Sequence, residues 1–381
     1  MDTLAPNRPV VDADEILAGI QEWISIESPS HDAVAVNRMV TRVQEQVEHL
    51  GLATERTPGR DGFGDILKAR TPWGEGPGIL VLAHLDTVHP IGMLEGALKF
   101  RREGDKVFGP GIYDMKAGGY LAYYALRHLI RLGKETPLPV TFLFIPEEEV
   151  GSPTSRALIE AEGLKSKYVL VCEPARDGGK IVTSRKGVAR FTVSVEGRPA
   201  HAGAAHHMGR SAIKEMAKLI LQIEGMTDYD RGITTSVGLI TGGTGVNVVP
   251  QFCSAEVDMR VPTMEVGEEM VAKMLALTSS DPDVKVKVEG ELNRPPYVKD
   301  AGIAALFETA KEIAAEIGFE LKDVPITGGG SDGNFTAALG IPTLDGLGAD
   351  GVGAHTDYEH IYYSSLAERA KLLQGLFERL T

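Results

Sequence analysis

Only two cysteines occur in the 381-residue chain, Cys172 and Cys253, and both sit in apolar, strand-like runs. Two buried thiols exclude a disulfide framework and favour a cytoplasmic setting. Basic runs are absent as well. Against 53 acidic residues stand 39 lysines and arginines, giving a net charge of −14. That balance argues against nucleic acid or an anionic membrane as partner, although a few arginines in a cleft can still receive an acidic substrate. No apolar run exceeds strand length, so no membrane-spanning helix is expected. The opening "MDTLAPNRPV" has no basic start followed by an apolar core, which speaks against a secretory signal. Its polar, proline-bearing character predicts a frayed terminus up to Val10. There is no internal repeat and no low-complexity segment.

What is present is globular in composition, 43% hydrophobic and 24% charged, and long enough to predict two domains. Ile16, Leu17, Ile20, Trp23 and Ile24 recur at helical spacing, as do Val36, Val40, Val43, Val47 and Leu50, with Gly51 as a stop. "ILVLA" (79–83), "VTFLFI" (140–145) and "YVLVC" (168–172) read as buried strands, with an amphipathic helix over 116–132. This alternation predicts an α/β domain with a mostly parallel sheet. From Ala189 the order becomes strand, helix, two strands, helix, strand, the ferredoxin-like pattern. After Arg294 the α/β style returns, with helices at 301–317 and 364–380. The expected organisation is a larger domain, 1–188 plus 296–381, interrupted by a lid at 189–295.

The polar residues gather at strand ends. "ILVLAHLD" ends in His84 and Asp86, "VTFLFIPEEE" in Glu147, Glu148 and Glu149, and "YVLVCEP" in Glu173. The carboxyl edge of an open α/β sheet is where sites form. Asp114, in the glycine-rich "GPGIYDMKAG", and His355, in "GVGAHTDYEH", are further candidates. Three adjacent acids after a buried strand repel one another, and a divalent cation would compensate them. Imidazole with carboxylates is a zinc-type donor set that also admits manganese or cobalt. Two ions sharing a carboxylate would acidify a water between them, leaving one free carboxylate to carry its proton.

Taken in order, "HLDTV", "GPGIYDMKAG", "EEEVGS", "CEP", "AHAG", "GGGSD" and the late histidine resemble the dinuclear zinc exopeptidase and deacylase superfamily. That superfamily includes acetylornithine deacetylase, succinyl-diaminopimelate desuccinylase and aminoacylase, and the chain looks most similar to its glutamate carboxypeptidase branch. The resemblance runs from "SIESPS" to the final helix. It implies a parallel-sheet catalytic domain with a ferredoxin-like lid that forms a homodimer. It implies His84 and Glu173 as terminal ligands of one ion, Glu149 and His355 of the other, and Asp114 as the bridge. Glu148 would be the general base, and Asp86 the carboxylate that orients the ligand histidine. His201, in "RPAHAGAAHHMG", would polarise the scissile carbonyl in the partner's site, and Asn247 would contact substrate across the same dimer.

Specificity would rest on Arg294, gripping a terminal carboxylate through its bidentate fork, on Arg260, and on the "TGGGSDGNF" loop with Gly329 and Ser331. For Arg260 a strand-edge salt bridge is an open alternative. Two features depart from the carboxypeptidase pattern: Ile326 stands where a basic residue is expected, and Arg185 and Lys186 stand where small residues are expected. The resulting expectation is a metal-dependent hydrolase cleaving an amide beside a free carboxylate. A hydrolytic deaminase, a deacetylase or desuccinylase, and a non-catalytic binding protein of the same fold are the alternatives.

Overall fold

The computed structural model describes residues 10–381, so the fraying expected before Val10 lies outside the described residues. The chain divides into two compact units. The first holds the residues up to Ser184, Lys299–Ile326 and Ser331–Thr381, and the second Arg185–Val298 with Thr327–Gly330.

In the first unit, helix α1 (Ala13–Ile24) starts at Asp12, whose side chain accepts the N–H groups of Asp14 and Glu15. Its stripe of Ile16, Ile20, Trp23 and Ile24 is buried. Helix α2 (Ala33–His49) is capped by Asp32 and stops before Gly51, which takes the left-handed φ of 84° that terminates helices. Strands β1 (Ala53–Thr57) and β2 (Ile66–Arg70) form a hairpin. Then come the fully buried β3 (Gly78–His84) and the short β4 (Arg101–Glu103) and β5 (Lys106–Phe108). Helix α3 (Ala117–Arg131), strand β6 (Val140–Ile145), helix α4 (Arg156–Gly163) and strands β7 (Ser166–Val171) and β8 (Ile181–Val182) complete this segment.

The second unit opens with β9 (Gly187–Glu196) and the two-residue β10 (Ala200–His201). Helix α5 (Ala212–Glu224), strand β11 (Thr234–Gly242), strand β12 (Val248–Val249) and strand β13 (Phe252–Val261) follow. Helix α6 (Met264–Leu275) and strand β14 (Lys285–Arg294) close it. The antiparallel order β11-β13-β9-β14 is the ferredoxin-like arrangement the sequence predicts. Alternate residues of β9 and β13 face a core shared with Met216, Leu219 and Ile223 of α5. A separate ribbon pairs β10 with β12.

The chain re-enters the first unit with α7 (Ala301–Ile317), β15 (Asp323–Val324), α8 (Gly333–Ala338) and β16 (Thr343–Leu344). Strands β17 (Gly351–Val352) and β18 (His360–Tyr362) and helix α9 (Ser365–Arg379) end it. The main sheet runs β1-β2-β6-β3-β7-β16, parallel from β6 to β16 with the antiparallel hairpin at one edge. A smaller antiparallel sheet, β17-β18-β5-β4, was not foreseen, because strands of two or three residues carry no readable periodicity.

Candidate metal centre and active site

Parallel pairing of β3 with β6 and β7 brings three strand ends to one edge, with His84 opposite Ile145 and Leu82 opposite Val171. His84, Glu147 to Glu149 and Glu173 therefore share that edge. His84 is buried and turns Nδ1 to the backbone carbonyl of Asp86 at 3.0 Å, with Asp86 Oδ1 at 3.4 Å. Its Nε2 faces inward. The Asp86 carboxylate is fully buried and does more than face His84. It accepts the Ser30 hydroxyl (2.6 Å) and the backbone N–H groups of Glu148 (3.1 Å) and Glu149 (3.3 Å). One carboxylate thus ties the end of β3 to the turn that carries the acids.

That turn is a short 3-10 helix over Glu148–Val150. Glu147, given no role from sequence, is fully buried and braces it. Its Oε1 accepts the N–H and hydroxyl of Thr154 and the N–H and hydroxyl of Ser155, all at 2.7–3.0 Å. Burial raises its pKa, with the hydroxyls opposing. The signal was present in "EEEVGSPTS", since a buried acid needs nearby hydroxyl donors.

Asp114 lies between two imidazoles. Its Oδ1 is 3.1 Å from His84 Nε2, and its Oδ2 is 3.4 Å from His355 Nε2. Glu149 Oε2 is 3.0 Å from the same His355 nitrogen, and Glu173 Oε1 is 3.9 Å from His84 Nε2. His355 adopts a left-handed backbone, φ 65°, uncommon for a side-chain-bearing residue and concentrated at functional sites. Helix α3 approaches the end of β7 closely: a Cβ on Gly118 would lie 1.9 Å from the Cys172 carbonyl oxygen. That contact sets the Asp114 segment beside Glu173. Sequence reading also passed over Glu359 and His89, which pack beneath the Asp114 loop at 2.6 Å from one another.

The electrostatics follow from burial and pairing. Burial disfavours a charged His84 ring, but Asp114 and Asp86 outweigh it and hold its pKa well above the ordinary value. Asp114 and then Glu149 lift His355 to about 10. Burial would raise Asp114, yet His355 and His84 hold it below the usual carboxylate range. Glu149 is lifted to about 6 by burial and by Asp114.

The donor set fits divalent ions. Two ligands each about 2.0–2.1 Å from a tetrahedral zinc ion lie roughly 3.3 Å apart, close to the 3.0, 3.1 and 3.4 Å separations among His84, Asp114, His355 and Glu149. Ligand atoms of His84, Asp114 and Glu149 lie within 4.8 Å of one another, as do those of His84, Glu148 and Glu173. Among the described residues Glu149 Oε1 is buried without a hydrogen-bond partner, the state a cation relieves. Glu148, like Glu149, is half-buried, and Asp86 accepts the backbone N–H of each.

Most of the remaining sequence candidates belong to the second unit. His201 lies on the β10–β12 ribbon opposite Val248, and Ala202 donates to the carbonyl of Asn247, so His201 and Asn247 are neighbours. His201 Nδ1 accepts the N–H groups of Gly203 and Ala204, both at 3.1 Å. A neutral ring then carries its proton on the outward Nε2. Arg260 forks onto Asp258 at 2.7 and 2.9 Å and donates to the Gly328 carbonyl at 3.1 Å. Arg185 is fully buried and donates to the Gly329 carbonyl at 3.0 Å. Arg294 is buried at the end of β14, and a Cβ on Gly330 would lie 2.8 Å from its Cδ. In the first unit, Ser331 donates its hydroxyl to Asp345 at 2.6 Å and accepts the Gly333 N–H.

Residues 80–379 match the family model described as peptidase family M20/M25/M40. Carboxypeptidase G2 from Pseudomonas sp. is 29% identical over 373 residues, covering 95% of this chain and 89% of that protein. Succinyl-diaminopimelate desuccinylase from Legionella pneumophila is 24% identical over 290 residues, covering 72% and 75%. Among solved structures, aminopeptidase PepT from Bacillus cereus superimposes with a TM-score of 0.76 at 25% identity, covering 96% of this chain and 98% of its own.

Proposed function

We infer that this chain, which belongs to peptidase family M20/M25/M40, is a metal-dependent amide hydrolase that cleaves beside a free carboxylate. The observation that carries the reading is Asp114: one carboxylate oxygen faces His84 and the other faces His355. That geometry suits a shared ligand of two divalent ions, for which we propose zinc, with His84 and Glu173 on one and Glu149 and His355 on the other. A bound ion pair supplies Lewis acidity and a water acidified toward neutrality.

The chain's own groups would do the rest. Glu148, held by the Asp86 carboxylate through its backbone N–H, would take a proton from the attacking water. As the C–O bond forms and the C–N bond breaks, the same carboxyl would deliver that proton to the departing nitrogen. His201 of the partner subunit would direct its Nε2–H at the developing oxyanion, with Asn247 of the partner subunit beside it. Arg294 would hold the terminal carboxylate of a glutamate-like leaving group, with Arg260, Gly329 and Ser331 shaping the binding loop.

We propose residues 189–295 as the lid and dimerisation domain of a homodimer. In support, β11 is an edge strand, and its Leu239 and Ile240 are exposed. A cytoplasmic location is proposed on the two free, buried cysteines. Among the described residues no helix is long and apolar enough to cross a membrane.

The test is a screen of N-acyl amino acids, dipeptides and amino-aromatic acids, read by mass spectrometry. Metal-stripped protein would be restored with zinc, manganese or cobalt. Release of a free amino acid is expected. Ammonia as the only nitrogenous product would move the assignment to a deaminase, and metal-independent turnover would overturn it.

A further inference from the structure

We propose that Glu359 is a positioning residue that fixes the backbone around Asp114 before any ion arrives. This rests on reading Asp114 as the shared ligand.

Glu359 is fully buried. Its Oε1 accepts the N–H groups of Tyr113 (2.8 Å) and Asp114 (3.0 Å). Its Oε2 accepts the Gly111 N–H (3.0 Å) and lies 2.6 Å from His89 Nε2. An ionised carboxylate only accepts, so His89 carries its proton on Nε2. Four donors thus converge on one buried carboxylate, the condition under which such a group is tolerated. Three of the four are consecutive or near-consecutive backbone amides of the segment that presents Asp114.

The placement is built into the fold. Pairing of β18 with β5 sets His360 opposite Phe108, which brings Glu359 alongside the Gly109–Gly111 turn. Gly111 takes φ 67°, and a Cβ there would lie 2.3 Å from Thr87, so only glycine can turn its N–H to Glu359. His355 and Glu359 belong to one short segment. That segment offers a ring to Asp114 Oδ2 and, four residues later, clamps the Asp114 backbone. A shared ligand must meet two ions with two differently directed lone pairs, so rotation of its backbone would misplace both at once. Partners of this kind, acting through a ligand, typically change metal affinity 10–100-fold when removed.

The experiment uses the full chain with Glu359→Gln and Glu359→Asp, stripped of metal and titrated with zinc against a chromophoric chelator. Cobalt absorption spectra are recorded on the same proteins. Glu359→Gln offers an amide N–H₂ to two donors and should weaken both zinc affinities 10–100-fold with an altered cobalt band. Glu359→Asp should recover part of the loss. A purely structural role would lower the melting temperature of the metal-free protein and leave the zinc affinities of folded protein unchanged. Zinc affinities within twofold of wild type in folded Glu359→Gln overturn the inference, and if that variant does not fold, the same result in Glu359→Asp overturns it. Asp114→Asn separates the two readings. If it too binds two zinc ions normally, the ligand assignment fails. If it loses them while the Glu359 variants do not, only the positioning role fails.

Discussion

Glu149 meets His355 with one oxygen: Oε2 lies 3.0 Å from Nε2, while Oε1 is buried and has no hydrogen-bond partner among the described residues. A buried, unsatisfied carboxylate oxygen is unfavourable, and a cation within reach offsets that cost. The arrangement therefore links affinity for metal to the stability of the turn that also carries Glu148.

Glu148→Gln removes a proton carrier and leaves the proposed ligands in place. Turnover should fall about 10²–10⁴-fold, with metal content unchanged by elemental analysis. Activity close to wild type would remove Glu148 from the reaction.

His201→Ala should lower kcat by about 10²–10³ and leave metal content alone, because among the described residues its ring hydrogen-bonds within its own turn, through Nδ1. Mixing inactive Glu148→Gln chains with inactive His201→Ala chains should restore part of the activity. Failure to do so after verified subunit exchange would place His201 outside its partner's chemistry.

Gly118→Ala puts a methyl group where the Cys172 carbonyl stands. Helix α3 must then retreat from the end of β7, at about 1–3 kcal/mol. Chemical denaturation should show that loss, together with weaker zinc binding, since Asp114 and Glu173 sit on the two elements forced apart. A variant as stable as wild type would contradict the close packing.

Glu215 joins α5 to the segment after α6. Burial alone would raise its pKa, but Lys218 at 2.7 Å and the Ser280 N–H at 2.6 Å hold it down to about 2. A depressed carboxylate stabilises fully above its unfolded value and loses that contribution as pH falls toward the folded one. Glu215→Gln should therefore destabilise by about 1.5–3 kcal/mol at pH 7. The difference from wild type should close between about pH 4.5 and pH 2. A gap that does not depend on pH would mean the contacts act as neutral hydrogen bonds.

The regular architecture was legible because its periodicity is strong. "VTFLFI" is strand β6 to the residue, and 301–317 is helix α7. The ferredoxin-like order likewise emerges from alternating strands flanking two amphipathic helices. The acids at strand ends were visible as chemistry because apolar runs rarely end in three carboxylates. What escaped was held by long-range contacts. Glu359 reads as one acid in a polar loop, and only the pairing of β18 with β5 sets it beneath Asp114. Asp86 was expected beside His84, but its hold on the Glu148 and Glu149 amides depends on how β3 and β6 end together. Arg185, standing where a small residue is expected, is buried against the Gly329 carbonyl, a contact between residues 144 positions apart.

The first unit is written in three pieces, interrupted by Arg185–Val298 and again by Thr327–Gly330. Ribosomes deliver a chain from its N-terminus, so His84, Asp114, Glu149 and Glu173 leave the exit tunnel well before His355 and Glu359. The nascent protein must carry a half-assembled acidic cluster through most of its synthesis, and a chain cut short by even thirty or so residues would never complete it.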